Sequence, residues 1–214
     1  MDLAKMIDHT LLRPEATEKE IVQLCHQARQ HGFANVCINP AYVRTAAKLL
    51  HGTGIGVATV IGFPLGATIP EVKVQEVFAV KAHGAKEVDI VMNIGLAKSG
   101  DWVGLERDIT RVVEAAHCCG LISKVIIEAG LLTEEEKKHS AELVRKSGAE
   151  YIKTSTGFAG SGATVEDVRN LKNWVGEAVK VKASGGIRTR EDALKMIEAG
   201  AERLGTSAGV KIVG

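Results

Sequence analysis

The chain has 214 residues, with 27 lysines and arginines against 26 aspartates and glutamates, and only 4% aromatic residues. This balance disfavours a nucleic-acid-binding protein, because such proteins present a basic surface and stacking side chains. The length suits a single domain with a substantial core, and we expect residues 1–214 to form one domain.

Cysteine usage and hydropathy predict a cytoplasmic protein. The four cysteines, at positions 25, 37, 118 and 119, form neither a C-x-x-C motif nor the framework of a secreted disulfide protein. The first residues, MDLAKMIDHTLLRP, contain no apolar leader region, and no window approaches the roughly 18 apolar residues of a membrane span. We therefore expect reduced thiols and no membrane partner.

Apolar, β-branched segments alternate with segments of helical periodicity along the whole chain. The first of these segments is short and polar, and the last has few β-branched residues. The eight predicted strands cover residues 6–12, 35–39, 57–63, 87–93, 123–130, 151–156, 179–184 and 203–209.

The helical segments carry start and stop signals. A threonine followed three residues later by an acid can cap the free N–H groups of a first turn, and glycines follow several of the predicted helix ends. The four threonine–acid pairs are Thr17/Glu20, Thr133/Glu136, Thr164/Asp167 and Thr189/Asp192.

This alternation predicts an α/β protein, specifically a closed (β/α)₈ TIM barrel. An open, doubly wound sheet is the alternative, but its cofactor-binding turn needs G-x-G-x-x-G between a strand and a helix. The only glycine cluster of that kind, 52-GTGIG-56, precedes a strand, so we interpret it as a loop.

Lys153 interrupts a short strand just before a turn, in 151-YIKTSTG-157. It could be a solvated strand end with its amine in water. However, in a barrel the carboxyl ends of the strands are where active sites form. Lys182, in 182-KASGGIR-188, lies at the same place on the next strand.

Two ammonium groups brought together favour loss of one proton. A lysine with its ordinary pKa of roughly 10.4 is almost always charged at neutral pH, whereas burial and a neighbouring cation lower that pKa. A neutral lysine amine is a nucleophile for carbonyl carbons. The pattern therefore indicates imine chemistry.

Two aspartates are candidates to assist. Asp89 splits the apolar strand EVDIV, where it could offset a lysine charge or move protons through a water molecule. Asp8, in IDHT, could equally be a cap, a structural ion-pair partner or a site residue.

Glycines after the last two strands indicate phosphate binding. Gly185 and Gly186 follow the seventh strand, and 205-GTSAG-209 ends the eighth, where TIM barrels commonly bind a phosphate. Glycine pairs also form ordinary turns. Neither H-E-x-x-H nor an acidic metal loop occurs, and we predict neither a metal site nor a cofactor.

Seven motifs in order resemble the bacterial deoxyribose-phosphate aldolase family over residues 6 to 212. They are IDHTLL (7–12), IGFPLG (61–66), EVDIVMN (87–93), VIIEAG (125–130), IKTSTGF (152–158), KASGGIR (182–188) and LGTSAG (204–209). The resemblance implies a metal-independent class I aldolase, a carbon–carbon lyase of deoxynucleoside catabolism. Such an enzyme reversibly cleaves 2-deoxy-D-ribose 5-phosphate to D-glyceraldehyde 3-phosphate and acetaldehyde, and family habit implies a homodimer.

The resemblance also assigns roles by motif. Lys153 would be the Schiff-base nucleophile, Lys182 the group that lowers its pKa and shares in proton transfer, and Asp89 the proton relay. Substrate and phosphate contacts would fall on Asp8, Thr10, Thr156, Gly157, Gly185, Gly186, Gly205 and Ser207.

One departure and two rival functions accompany this prediction. Family members often carry a longer tail, in some ending in a tyrosine that assists proton transfer, whereas this chain ends at Gly214, so we expect a short or absent last helix. The rivals are a barrel enzyme that forms its lysine imine with another sugar phosphate or a keto acid, and a non-catalytic barrel that binds a phosphorylated metabolite.

Overall fold

The computed structural model describes residues 2–214 and contains a closed barrel of eight parallel strands. Each strand pairs with the next along the chain, and β8 pairs with β1. This closure confirms the predicted TIM barrel and excludes the open sheet. The strands are β1 Ile7–Leu11, β2 Asn35–Ile38, β3 Gly56–Ile61, β4 Glu87–Val91, β5 Ile122–Ile126, β6 Tyr151–Lys153, β7 Lys180–Ser184 and β8 Ala201–Thr206.

Helices surround the barrel. Those described are α1 Glu18–His31, α2 Val43–Leu49, α3 Pro70–His83, α4 Ile94–Lys98, α5 Trp102–Cys118, α6 Glu134–Ser147, α7 Val165–Val175, α8 Arg190–Glu198 and α9 Gly209–Val213. Short 3₁₀ turns cover Leu3–Met6, Pro40–Tyr42 and Ala129–Leu131. The last helix, α9, has only five residues, which confirms the expectation of a short one.

The predicted helix signals are confirmed. Thr17, Thr133 and Thr189 form capping boxes at the starts of α1, α6 and α8, and Thr164 caps α7 through the Asp167 N–H. The 52–56 glycine cluster is a turn that leads into β3 at Gly56, as predicted. The eighth strand begins two residues earlier than predicted, since its pairing with β7 starts at Ala201.

Strand periodicity explains how apolar strands come to carry charges. Val88 and Ile90 belong to the apolar layer between sheet and helices, whereas Asp89 between them contacts lysines of other strands inside the barrel. All five residues of β4 are buried, because the helices cover one face and the barrel interior covers the other. A charged residue on the inner face must therefore find its counterions across the barrel.

Candidate active site

Lys153 and Lys182 bind the same carboxylate oxygen. They are register partners on β6 and β7, so their side chains leave the sheet side by side. The Nζ atom of Lys153 lies 2.7 Å from Asp89 Oδ2, and that of Lys182 lies 2.6 Å from it. The three residues that the sequence singled out are thus in direct contact.

A wider set of charges surrounds this centre. Lys124 donates to the other oxygen of Asp89 at 2.8 Å and also to Glu87 at 2.7 Å. Asp8 accepts from Lys182 and, through Oδ1, from Arg203 at 2.8 Å. The cluster links four cationic side chains, Lys124, Lys153, Lys182 and Arg203, to three carboxylates, Asp8, Glu87 and Asp89.

The count of charges in this cluster favours a neutral amine. With every group ionised, four positive charges face three negative ones, and the members on β1, β4, β5, β6 and β7 are buried. An uncompensated buried charge is costly, and loss of one lysine proton balances the cluster.

The shifts in pKa identify which amine loses its proton. Burial lowers the pKa of Lys153, and the Lys182 ammonium lowers it further against the opposing effect of Asp89. Burial also acts to lower the pKa of Lys182, but the Asp8 and Asp89 carboxylates outweigh it and raise that pKa above its usual range. Lys182 therefore remains the cation, and Lys153 is the amine that can become neutral.

The Asp89 carboxylate stays ionised. Burial alone would raise its pKa, but Lys124, Lys153 and Lys182 together hold that pKa well below its usual range. An ionised Asp89 can accept and return a proton next to the Lys153 amine.

A cavity of about 430 Å³ opens above Lys153 at the carboxyl ends of the strands. Seven of the eight predicted contact residues line it, whereas Asp8 lies beneath it and is fully buried. The lining residues are Thr10, Leu11, Leu12, Arg13, Lys153, Thr156, Gly157, Phe158, Ser184, Gly185, Gly186, Ile187, Arg188, Gly205, Thr206 and Ser207.

Positive φ angles and one close backbone contact favour the glycines around this mouth. Gly185 and Gly186 have φ values of 86° and 80°, which favour glycine. A Cβ on Gly162 would lie 2.3 Å from the carbonyl oxygen of Gly185, so the loop after β6 lies directly against the loop after β7. The backbone itself therefore shapes this part of the cavity.

The sequence reasoning missed four charged residues, among them Glu87 at the start of β4, which binds Lys124 and Arg203. Lys124 carries the same signal as Lys153, a lysine within a β-branched strand, and could have been found in that way. Arg203 belongs to the least regular strand pairing, with a register shift beside Lys182. Glu128, in VIIEAG, is buried after β5, and its partner Thr156 lies on another loop.

Two other basic residues of the strands, His9 and Lys180, lie away from the centre. His9 bonds to Gln27 at 2.9 Å and packs against Phe33. Lys180 is exposed at the amino end of β7, over the ring of Tyr151. Within residues 2–214, no cluster of three or more His, Cys, Asp or Glu side chains is placed to hold a metal ion. None of the helices described there is long and apolar enough to cross a membrane.

A closed (β/α)₈ barrel with a buried lysine beneath a glycine-lined mouth defines a class of barrel enzymes that act on small carbonyl compounds. Residues 3–213 match the sequence model of the DeoC/LacD family of aldolases. The chain belongs to this family.

Proteins named deoxyribose-phosphate aldolase are similar in sequence to this chain over nearly their whole length. The chain is 76% identical to a deoxyribose-phosphate aldolase of Desulfitobacterium hafniense, over 100% of this chain and 98% of that protein. It is 55% identical to one from a Geobacillus species, over 99% and 95% of the two chains. Among solved structures, the tetrameric deoxyribose phosphate aldolase of Aeropyrum pernix has a TM-score of 0.92 and 36% identity, covering 99% of this chain and 89% of that one.

Proposed function

We propose that this chain is a class I aldolase that reversibly cleaves 2-deoxy-D-ribose 5-phosphate to D-glyceraldehyde 3-phosphate and acetaldehyde. The observation that carries the proposal is the shared Asp89 oxygen, with Lys153 and Lys182 both bound to it beneath the cavity. The names of the relatives support the choice of substrate.

In the proposed reaction, the neutral Lys153 amine adds to the C1 carbonyl of the open-chain sugar. The carbinolamine that forms loses its hydroxyl as water and becomes an imine, which at this site is protonated. Asp89, 2.7 Å from the Lys153 Nζ, would accept the proton that the nitrogen loses on addition and pass it through a water molecule to the C1 oxygen, which becomes the carbinolamine hydroxyl. The Lys182 ammonium would donate the second proton, with which that hydroxyl leaves as water, and would itself become neutral.

Carbon–carbon cleavage follows from the imine. Removal of the C3 hydroxyl proton breaks the C2–C3 bond, glyceraldehyde 3-phosphate leaves, and the bonding electron pair becomes an enamine on Lys153. Protonation at C2 and hydrolysis then release acetaldehyde and regenerate the amine. Lys182, neutral after it has protonated the departing hydroxyl, would accept the C3 hydroxyl proton and then donate it to C2. The proton released on hydrolysis would return Lys182 to the charged form that Asp8 and Asp89 stabilise. The cycle needs neither a metal nor an organic cofactor.

Contacts to the substrate are proposed from the cavity lining. The phosphate would bind the N–H groups around Gly157, Gly185 and Gly186 and those of Gly205 and Ser207. Thr10 would face the sugar, and Thr156 would lie beside the phosphate. Asp8, buried below, would act through its bond to Lys182 and not by direct contact.

Borohydride trapping tests the proposal. The protein is incubated with acetaldehyde or deoxyribose phosphate and reduced, and mass spectrometry then locates the adduct. We expect an adduct on Lys153 and release of glyceraldehyde 3-phosphate. An adduct on Lys182 alone would overturn the assignment of roles, and the absence of any adduct would favour the non-catalytic barrel. An adduct formed only with other sugar phosphates or keto acids would favour the other rival.

We also propose that residues 1–214 form one catalytic domain that acts as a homodimer in the cytoplasm, without nucleic-acid or membrane partners. Four free cysteines suit a reducing compartment. Exposed apolar side chains on and before α3, at Leu65, Ile69, Val72 and Phe78, offer a surface that a second copy could cover. Sedimentation equilibrium should give twice the monomer mass, and a monomer or tetramer would contradict the dimer.

A further inference from the structure

Glu128 adopts a backbone conformation that normally belongs to glycine. It lies two residues beyond β5, with φ 52° and ψ 61°. Within residues 2–214, it is the only residue other than glycine with a positive φ. A Cβ atom makes this conformation unfavourable, whereas glycine adopts it freely. The use of glutamate at this position indicates that the side chain itself is needed.

This left-handed residue changes how β5 meets β6. The N–H of Ile127 donates to the carbonyl of Lys153 at 3.1 Å, and that of Ala129 donates to the carbonyl of Thr154 at 2.8 Å. In a regular parallel ladder, N–H groups two residues apart bind carbonyls that are also two apart. Here the N–H groups of Ile127 and Ala129 bind the consecutive carbonyls of Lys153 and Thr154. The backbone at Glu128 therefore leaves the regular ladder and crosses the end of β6, directly after Lys153.

The Glu128 carboxylate is committed to one residue. Glu128 is only 1% exposed. Its carboxylate accepts hydrogen bonds from the N–H of Thr156 at 3.1 Å and from the Thr156 hydroxyl. Among the described residues, no lysine, arginine or histidine lies within ion-pair distance of it. A buried carboxylate without a cation depends on its hydrogen-bond donors, so Thr156 and Glu128 hold each other in place.

Thr156, which Glu128 holds in place, in turn fixes a loop at the mouth of the cavity. Its hydroxyl oxygen also accepts from the N–H of Phe158 at 3.1 Å, which closes a turn around Gly157 at φ 88°. Thr156, Gly157 and Phe158 all line the cavity above Lys153. The carboxylate therefore fixes the turn that faces the substrate, although it does not line the cavity itself.

We propose that Glu128 is a positioning residue for the phosphate end of the substrate. Its carboxylate holds the Thr156–Phe158 turn so that the turn's N–H groups are in place before the phosphate arrives. A carboxylate suits this task because both of its oxygens accept and neither donates, whereas an amide would present an NH₂ group to the Thr156 N–H. The inference rests on the proposed function and adds a residue to its phosphate site.

The test compares Glu128→Gln with wild type on two substrates. For 2-deoxyribose 5-phosphate we expect KM to rise by about tenfold or more, the effect of losing one charged hydrogen bond. For unphosphorylated 2-deoxyribose we expect kcat/KM to change by less than about threefold, since no phosphate contact is made. Trapping of acetaldehyde on Lys153 should proceed as in wild type.

Glu150→Gln is the matched control. Glu150 likewise accepts from the N–H and hydroxyl of one residue, Ser123, but at the opposite end of the same two strands. Its replacement should leave both KM values unchanged. Glu128→Gly, which keeps the left-handed backbone without strain, should show the same phosphate-selective loss if Glu128→Gln does not fold.

Three results would overturn the proposal. An equal loss on both substrates would mean that Glu128 supports Lys153 or the fold and not the phosphate site, and an unchanged KM would mean that it has no role in binding. Titration with inorganic phosphate gives a readout that does not need turnover, and Glu128→Gln should weaken that binding by about tenfold. Equal phosphate affinity in the two proteins would refute the positioning role, whereas failure of the aldolase proposal would appear in wild type as a missing Lys153 adduct.

Discussion

The strands β5 and β6 are joined by a buried or half-buried glutamate at each end, and the two ends differ in what the glutamate holds. At the amino end, the N–H and the hydroxyl of Ser123 both donate to the Glu150 carboxylate at 2.8 Å. The Glu150 side chain is 40% exposed. At the carboxyl end, Glu128 makes the equivalent contacts with Thr156 but is buried, with a left-handed backbone. At the amino end, this pair of hydrogen bonds to a glutamate holds the two strands together. At the carboxyl end, the same pair of hydrogen bonds shapes the cavity, and there the unfavourable left-handed backbone of Glu128 is retained.

Two lysines of β6 and β7 show the same difference between a buried carboxyl end and an exposed amino end of the barrel. Lys153 is buried at the carboxyl end against Asp89, whereas Lys180 is exposed at the amino end. Lys153→Ala should lower turnover by about 10⁴-fold or more, because no other group described at the site is a neutral amine. Steady-state kinetics and trapping measure this, with Lys180→Ala as the control that keeps wild-type activity. Substantial turnover in Lys153→Ala treated with a chelator would refute the imine mechanism.

Asp89→Asn should damage both activity and stability. Three lysines bind this carboxylate, and its loss leaves an excess of buried positive charge. Removing one partner of a buried charge pair typically costs about 3–5 kcal/mol of unfolding free energy, and loss of the proton relay should slow turnover by about 10²–10⁴-fold. Urea unfolding and kinetics on the same sample separate the two effects. A stable, fully active Asp89→Asn protein would contradict the role of Asp89.

Lys182→Met should shift the pH dependence of the reaction. The nucleophile acts in its neutral form, so activity rises with pH through the pKa of Lys153, which burial and the Lys182 cation lower. Without that cation the pKa of Lys153 rises, and the acidic limb of the pH profile of kcat/KM moves to higher pH. Each unit of displacement lowers activity on the acidic limb by about tenfold. Lys182→Arg, which keeps the charge, should hold the limb near its wild-type position, and an unmoved limb in Lys182→Met would exclude the proposed coupling.

Glu150→Gln should have the smallest effect. The carboxylate is partly exposed and its hydrogen bonds to Ser123 can be replaced by water, so we expect a loss of about 1 kcal/mol or less in unfolding free energy. Thermal unfolding at neutral pH measures it. A loss as large as that of Asp89→Asn would show that the amino end contributes more to stability than its exposure indicates.

The barrel and its three central residues could be predicted from sequence because the signals are local. Alternating strands and helices, threonine caps and a charged residue inside an apolar strand need no knowledge of distant contacts. The sharing of one Asp89 oxygen by Lys153 and Lys182 depends on the stagger of separate strands and could not be predicted from spacing. The left-handed backbone of Glu128 was also inaccessible, because it is stabilised by a partner on the following loop.

The bond between Lys182 and Asp8 joins residues that are 174 positions apart, across the seam where β8 meets β1. The cluster that makes Lys153 reactive therefore exists only after the last strand has joined the first. On an incomplete or unfolded chain, Lys153 is an ordinary charged lysine, no more reactive toward aldehydes than the others. Closure of the barrel is therefore what makes Lys153 nucleophilic, and we expect an incompletely synthesised chain to carry no reactive amine.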